Sequence, residues 1–315
     1  MSLKLTMKQP YGKPRFLSIR IRGYIDLVRP FTLIAPFFVS MFIMFASLVF
    51  NERFDMYPDW WVTIGQAALT LAFLNAASNA LNQATDVEAD IISKPYRPIP
   101  RGVITRDEAQ SIAYILYFFA LLRGLTINFW FGFFVFLIMV FTVVYSLPPR
   151  MKQYLFFNQV WIALNRGLLG ILASWSVFGD PFQKEPWMIG GIAFVFFIGA
   201  MTTKDIVDAE ADTKTGTRTL INTFGIKKAA YISLPFLILP FALVPLFIYY
   251  NRLPPYLWPL VFFVIPSLLI FYFMLQHSES KTLENTHAWS LMYVTYLFYA
   301  VGFATLIIFS GLGVI

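Results

Sequence analysis

The sequence predicts an all-α membrane protein with nine transmembrane helices and a cytoplasmic N-terminus. Three observations carry that prediction. Of the 315 residues, 58% are apolar and only 13% charged, well outside the composition of soluble globular domains. Apolar runs such as 31–50 and 229–250, in a chain with 35 Phe, 16 Tyr and 8 Trp, are too long for a soluble core to hide. Basic residues, finally, gather in alternate loops. Apolar windows of membrane-crossing length fall near 30–50, 62–82, 108–124, 128–146, 157–178, 186–204, 229–250, 256–276 and 288–311. Thr105 and Glu108 form a capping box that starts the third span, and "RGLTIN" supplies the turn between the third and fourth.

Nine spans put the N-terminus and the loops after spans 2, 4, 6 and 8 on one side. Its tail alone carries Lys4, Lys8, Lys13, Arg15, Arg20, Arg22 and Arg29, and that side holds 19 Lys and Arg in all. The other side holds 3, namely Arg53, Lys184 and Arg252, while Arg123 and Arg166 lie within spans. The positive-inside rule makes the N-terminal side cytoplasmic. The net charge of +7 is then a matter of topology and anionic lipid, and calls for no nucleic-acid partner. No short apolar region with a small-residue cleavage site precedes the first span, which argues against a cleaved signal peptide. Zero cysteines exclude disulfides and thiolate metal sites, and His277 and His287 are read as non-catalytic. Any metal is expected to be held by oxygen.

At the foot of span 2 stands "NQATDVEADIISKPYRPIPRG", residues 82–102, and at the foot of span 6 "TTKDIVDAEADTKTGTRTL", residues 202–220. Both ends face the cytoplasm, and "DVEAD" is nearly repeated by "DAEAD", which suggests two related four-helix halves. Asn82, Asp86 and Asp90 share one helical face, as do Asp205, Asp208 and Asp212. Glu88 and Glu210 are rotated off those faces. An acidic residue deep in the bilayer costs roughly 2.5–3.5 kcal/mol, so positive charge must compensate. Mg²⁺, which combines one or two carboxylates with phosphate oxygens, fits that need. Lys94, Arg97 and Arg101 follow the first column, in a loop stiffened by Pro95, Pro98 and Pro100. Lys214 and Arg218 follow the second. The arrangement is the one expected for a magnesium-bridged diphosphate.

A lone acidic residue at a cytoplasmic helix end is ordinarily a solvated end, but two matching columns with basic loops are not. For each loop cation taken singly, topology explains its presence as well as phosphate contact does. Arg166, about half way down span 5, is different, because a guanidinium there marks a site or a specific partner. Asn79 and Asn75 extend the first column inward, Asn79 toward the ligands and Asn75 as a candidate for interhelical hydrogen bonding.

These segments, with "YSLPPRMK" at 145–152, resemble the signatures of the UbiA superfamily of intramembrane prenyltransferases, and the likeness runs from "RPFTL" at 29–33 to the last span. The resemblance implies a single domain over 1–315, with 1–28 as a cytoplasmic N-terminal segment and the helices set around a central cavity. It implies transfer of a polyprenyl group, of geranylgeranyl type, from its diphosphate to a lipophilic acceptor in the bilayer, with the active site toward the cytoplasmic side of the cell membrane. Asn82, Asp86 and Asp90 match the first family motif, and Asp205, Asp208 and Asp212 the second. Gln83 stands where Asp is common, as in branches that prenylate homogentisate. Tyr145 and Lys152 match the tyrosine and basic residue found between the motifs, at wider spacing. "PYRPIPRG" and "YSLPP" look closest to branches containing chlorophyll synthases and archaeal digeranylgeranylglyceryl phosphate synthases.

On that resemblance, Asp86, Asp90, Asp208 and Asp212 are expected to hold Mg²⁺ with help from Asn82. Lys152, Arg97, Lys94 and Arg166 are expected to contact phosphate, and Tyr145 to bond the leaving group or shield the allylic cation. Asp205, Asn79, Arg101, Lys214 and Arg218 complete the expected diphosphate set. The competing expectation is an ion or organic-anion transporter whose acidic repeats line a path; it predicts carboxylates near mid-span and polar residues continuing to the far side.

Overall fold

The computed structural model describes residues 16–276 and 286–314, so His277 and the first four basic residues of the tail lie outside the described residues. Every regular element assigned among them is helical. Seven helices are long and apolar enough to cross a membrane: Ser18–Phe50, Arg106–Ile127, Phe129–Ser146, Lys184–Lys214, Ile226–Tyr249, Pro255–Gln276 and His287–Gly311. Two further stretches that the sequence reading counted as spans are absent from that set. One is α3 (Trp60–Thr85), and the other runs through α7 (Phe157–Ala163), a π-helical turn (Leu164–Leu169) and α8 (Gly170–Trp175). Both are diluted by amide side chains and, in the second, by Arg166.

The N-terminal segment, expected as a plain cytoplasmic tail, is helical over α1 (Phe16–Val28). Leu27 is fully buried, and Arg20 pairs with Glu108. A short 3-10 turn, Pro30–Leu33, leads into α2 (Ile34–Phe50). After α3 comes the short α4 (Val87–Ser93). Next, α5 (Arg106–Ile127) starts on the expected Thr105–Glu108 capping box, satisfying amides that a helix start otherwise leaves unpaired. The break before α6 (Phe129–Ser146) comes at Asn128 alone, whose side chain caps the new helix. Gly124 thus stays helical, where a Cβ would stand 3.2 Å from Val135.

α9 (Lys184–Ala200) passes through a 3-10 turn, Met201–Lys204, into α10 (Asp205–Lys214). The short α11 (Leu220–Phe224) precedes α12 (Ile226–Ala242), with Pro235 and Pro240 inside it, and α13 (Val244–Tyr249). α14 (Val264–Gln276), entered through the 3-10 stretch Pro255–Phe263, and α15 (His287–Gly311) close the chain. Two apolar clusters hold the bundle: one packs α3 against α5 and α6, the other packs α9 against α12, α14 and α15. Many large apolar residues point outward, among them Phe118, Trp61 and Phe298, as a lipid-facing surface requires.

Gly167 is where the π-helical turn meets α9. A Cβ there would lie 2.6 Å from the Phe194 backbone nitrogen, which has no freedom to yield. Gly191, on α9 itself, has nothing within 4 Å of such a Cβ. Gly167→Ala is therefore expected to cost about 1–3 kcal/mol through overpacking, seen as a lowered melting temperature in detergent, whereas Gly191→Ala leaves it unchanged or slightly raised.

Candidate active site

A cavity of about 460 Å³ opens among α2, α3, α6, α9, α10 and α15. On α3 its wall is formed by Leu71, Leu74, Asn75, Ser78, Asn79 and Asn82. These positions recur at helical spacing, so one face of one helix lines it over about 16 Å. Asp86 ends α3 with φ −107° and ψ 19° and starts α4. The first column is thus not one continuous helix as expected, yet it keeps its phase, because the amides of Asp86, Asp90 and Lys94 donate to the carbonyls of Asn82, Asp86 and Asp90. The 3-10 turn before Asp205 makes the corresponding deflection in the second half.

Both acidic segments reach this cavity, through Asp86, Asp90 and the exposed Glu88, expected off that face, on one side and Asp205, Asp208 and Asp212 on the other. Cations meet four of the six. Lys94, buried in the loop after the first segment, pairs with Asp208 of the second, joining the two halves directly. Asp86 accepts from Lys152 and, at 2.8 Å, from Arg150. Arg97 binds both oxygens of Asp90 at 2.8 and 2.9 Å. Asp205, 1% exposed, accepts from Lys204 at 2.7 Å and from the amides of Asn158 and Gln159. Asp212 has no ion pair among the described residues, and the side chain of Asn82 makes no hydrogen bond among them. Burial pushes the Asp90 carboxyl above its ordinary value, with Arg97 opposing, and pushes the Lys152 ammonium below its own, with Asp86 opposing.

Tyr145 and Lys152, from the segment between the motifs, both line the cavity, Tyr145 beside Lys204. Arg101, Lys214 and Arg218 do not. The loop folds back through amide bonds from Gly102 to Ile99 and from Val103 to Pro98, burying Lys94 and Arg97 and leaving Arg101 outside. Lys214 is exposed and held by Glu210 at 2.5 Å. Arg218 is exposed, tied only by its amide to the Gln153 carbonyl. Asn79 lines the cavity, but its amide nitrogen is engaged by the Val28 carbonyl and the Thr32 hydroxyl. Gln83 is buried and donates to the Leu27 carbonyl, a structural tie to α1.

Arg166 also faces the cavity, but away from the acidic end. Its guanidinium lies 3.5 Å from Asn75 Oδ1, and Asn75 precedes Asp86 by three helical turns, about 16 Å. Arg166 meets none of the carboxylates of the two acidic segments among the described residues, which sets it apart from Lys94, Arg97, Arg150, Lys152 and Lys204. Sequence reasoning missed Arg150 and Lys204, which it counted only toward topology. Both stand beside residues it did single out, and Arg150 carries a further mark visible only in three dimensions, a left-handed backbone with φ 60°, rare outside glycine and frequent at functional sites.

Among the described residues no three carboxylates or imidazoles stand together as a ready metal cage. The donor set nevertheless suits Mg²⁺. The available groups are hard oxygens, Asp212 and Asn82 are uncommitted, and this ion takes few protein ligands when phosphate oxygens complete its shell. At its inner end the cavity reaches Ser40, Leu71 and Ser174. Beyond it stands a hydrogen-bonded plug: Ser47 donates to the Trp175 carbonyl, Trp175 to Gln183, and Gln183 to Asn51.

The profile of the UbiA prenyltransferase family matches residues 39–294. Digeranylgeranylglyceryl phosphate synthase of Methanobrevibacter smithii is 24% identical over 293 residues, covering 90% of this chain and 98% of that protein. The Methanosphaera stadtmanae protein of the same name is 26% identical, covering 84% and 91%. Among solved structures, a UbiA homolog from Archaeoglobus fulgidus bound to DMAPP and Mg²⁺ aligns with a TM-score of 0.69 at 18% identity over 93% of this chain and 100% of the other. The same homolog bound to GPP and Mg²⁺ gives 0.63. At these identities the structural likeness establishes the fold.

Breaking one member of a buried ion pair strands the other. Arg97→Met is expected to destabilise the protein by about 3–5 kcal/mol, while the double variant Asp90→Asn with Arg97→Met regains most of that loss. Thermal unfolding of the three proteins in one detergent measures both effects.

Proposed function

From a chain that belongs to the UbiA prenyltransferase family, and is thus a prenyltransferase built into a membrane by many spans, we propose a more specific activity. The enzyme transfers a geranylgeranyl-type group from its diphosphate to a lipophilic acceptor, with Mg²⁺, in one domain of nine spans. The N-terminus and the acidic end of the cavity face the cytoplasm. The observation that carries this reading is the Lys94–Asp208 pair, which brings the two acidic segments to one chamber. The names of the synthases above support the geranylgeranyl class and a glyceryl phosphate acceptor. The two bound homolog structures support a prenyl diphosphate held with magnesium.

In this reading the diphosphate enters among Lys94, Arg150, Lys152 and Lys204, which exchange carboxylate partners for phosphate oxygens. Asp86, Asp90, Asp208 and Asp212 with Asn82 would hold Mg²⁺, which would supply electrophilic charge for the departing group. The C1–O bond breaks with its electron pair going to the diphosphate oxygen. Lys152 and Lys94 donate hydrogen bonds to the charge that develops there, and the Tyr145 ring borders the cationic carbon. The acceptor nucleophile then bonds to C1, and its proton passes to the released diphosphate. Leu71, Leu74, Ile138 and Phe141 give the tail an apolar bed away from water. A transporter would place carboxylates near mid-span, whereas those lining this cavity come from the two segments Asp86–Asp90 and Asp205–Asp212 at one end.

With geranylgeranyl diphosphate and a panel of acceptors, Asp86→Ala and Asp208→Ala are each expected to lower turnover at least ~10²-fold while remaining monodisperse in detergent. Chelation by EDTA is expected to stop transfer and added Mg²⁺ to restore it; near-normal turnover in the double alanine variant sinks the assignment. Gly170, near the inner end, has only the Asn165 carbonyl within 4 Å of an added Cβ, at 3.6 Å, so a side chain there fills cavity. Gly170→Leu should shift donor preference from geranylgeranyl toward geranyl diphosphate in competition assays.

A further inference from the structure

We propose that Arg166 and Asn75 form a second anion site within the cavity, for a phosphate monoester carried by the acceptor. The inference rests on the transferase reading above and deepens it. Lys94, Arg97, Arg150, Lys152 and Lys204 each meet a carboxylate. Arg166, in the same cavity, has no ion pair among the described residues; the one hydrogen bond its guanidinium makes among them is the 3.5 Å contact to a neutral amide. An uncompensated guanidinium in a membrane-embedded chamber is costly and marks a ligand.

Its surroundings hold it in place. Asn75 donates to the Thr32 carbonyl at 3.1 Å, which turns its oxygen toward Arg166. Tyr296 donates to the Arg166 carbonyl at 3.1 Å, and Tyr293 to the Thr32 carbonyl at 2.5 Å. The π-helical turn that carries Arg166 is pinned by the close approach of Gly167 to α9, a local irregularity frequent at functional sites. The guanidinium is thus preorganised and retains donors for an anion, ready for two-point contact with phosphate.

Spacing says which anion. Asn75 stands two turns inward of Asn82, about 10 Å, and three turns inward of Asp86, about 16 Å. A diphosphate held at the acidic end does not reach it. An acceptor whose hydroxyl lies against C1, one bond from that diphosphate, places a phosphate a few bonds further on at the level of Arg166. A hydroxylated lipid with a phosphate close to its nucleophilic oxygen, such as a glyceryl phosphate monoether, has that layout.

The test compares wild type, Arg166→Gln and Arg166→Lys with geranylgeranyl diphosphate and Mg²⁺. The two acceptors are geranylgeranylglyceryl phosphate and the phosphate-free geranylgeranylglycerol. Arg166→Gln is expected to raise the KM for the phosphate-bearing acceptor about 10- to 100-fold and to leave the KM for geranylgeranyl diphosphate and for the alcohol unchanged. Arg166→Lys, which keeps charge but not the fork, should recover part of the loss and serves alone if the glutamine variant is not monodisperse. An equal rise in donor KM would assign Arg166 to the diphosphate, and an unaltered acceptor KM would also overturn the site. Binding of the two lipids without donor, followed by tryptophan fluorescence, is the second readout. Tighter binding of the phosphate form to wild type than to Arg166→Gln is expected; equal binding overturns the site. Failure of wild type to transfer to either acceptor would instead count against the function, and the binding result would still decide the site.

Discussion

Negative charge placed at the rim of an apolar medium has to be matched, and the rest of this structure follows from how it is matched. Six carboxylates line one cavity, and four are compensated by cations delivered from loops: Lys94 and Arg97 after α4, Arg150 and Lys152 after α6, and Lys204 from the turn before α10. Removing either partner of such a pair is expensive, because an isolated buried charge remains. The pairs are therefore constraints on the fold as well as components of a site. Lys94–Asp208 is the one that crosses between the halves, and without it the two acidic segments have no direct reason to face each other. On the proposed reading the same pairing keeps the cations ready: a diphosphate would bring the charge that carboxylates supply in its absence, so binding would be an exchange of partners.

The helices deviate from regularity where they meet this cavity. Asp86 interrupts α3, a 3-10 turn precedes Asp205, and a π-helical turn carries Arg166. Arg29 and Arg150, both on the cavity wall, have left-handed backbones. Each deviation departs from the repeat that packing alone would favour, and each turns a polar side chain toward the cavity. Strain at such positions persists only when the surroundings over-determine it, and here they do. Arg150 is held by Asp86 and the Thr85 carbonyl, and Gly167 by the backbone of Phe194.

How much was legible in the sequence divides along the same line. Apolar length and the capping box gave the helices their approximate bounds, and the acidic repeats with their basic loops announced a shared site, because those signals are local. Contacts across the bundle were not legible. Nothing in "PPRMK" says that Arg150 rather than only Lys152 meets Asp86, and nothing in "KTGTRTL" says that Lys214 and Arg218 turn outward. Loop cations were credited by proximity in sequence, whereas reach is decided by the direction in which each turn folds. Pro98–Pro100 illustrates this, burying Arg97 and exposing Arg101 four residues later. Arg166 was recognised as unusual from its depth alone, but its distance from the acidic end requires knowing that Asn75 is its neighbour.

The distribution of polarity along the cavity also explains why one compartment can host bond breaking between a charged head and a greasy tail. Charge is concentrated at the end formed by Asp86, Asp90, Asp208 and Asp212. It thins to the amides of Asn79 and Asn75 with the guanidinium groups of Arg29 and Arg166, and ends at Ser40, Leu71 and Ser174. An amphiphile entering such a gradient has one favourable orientation, since inversion would bury its phosphates against leucine and expose its chain to aspartate. For the substrate proposed above, orientation of that kind would set C1 near the carboxylates before any specific contact is made, and would lower the entropy that the reaction must otherwise lose in aligning its partners.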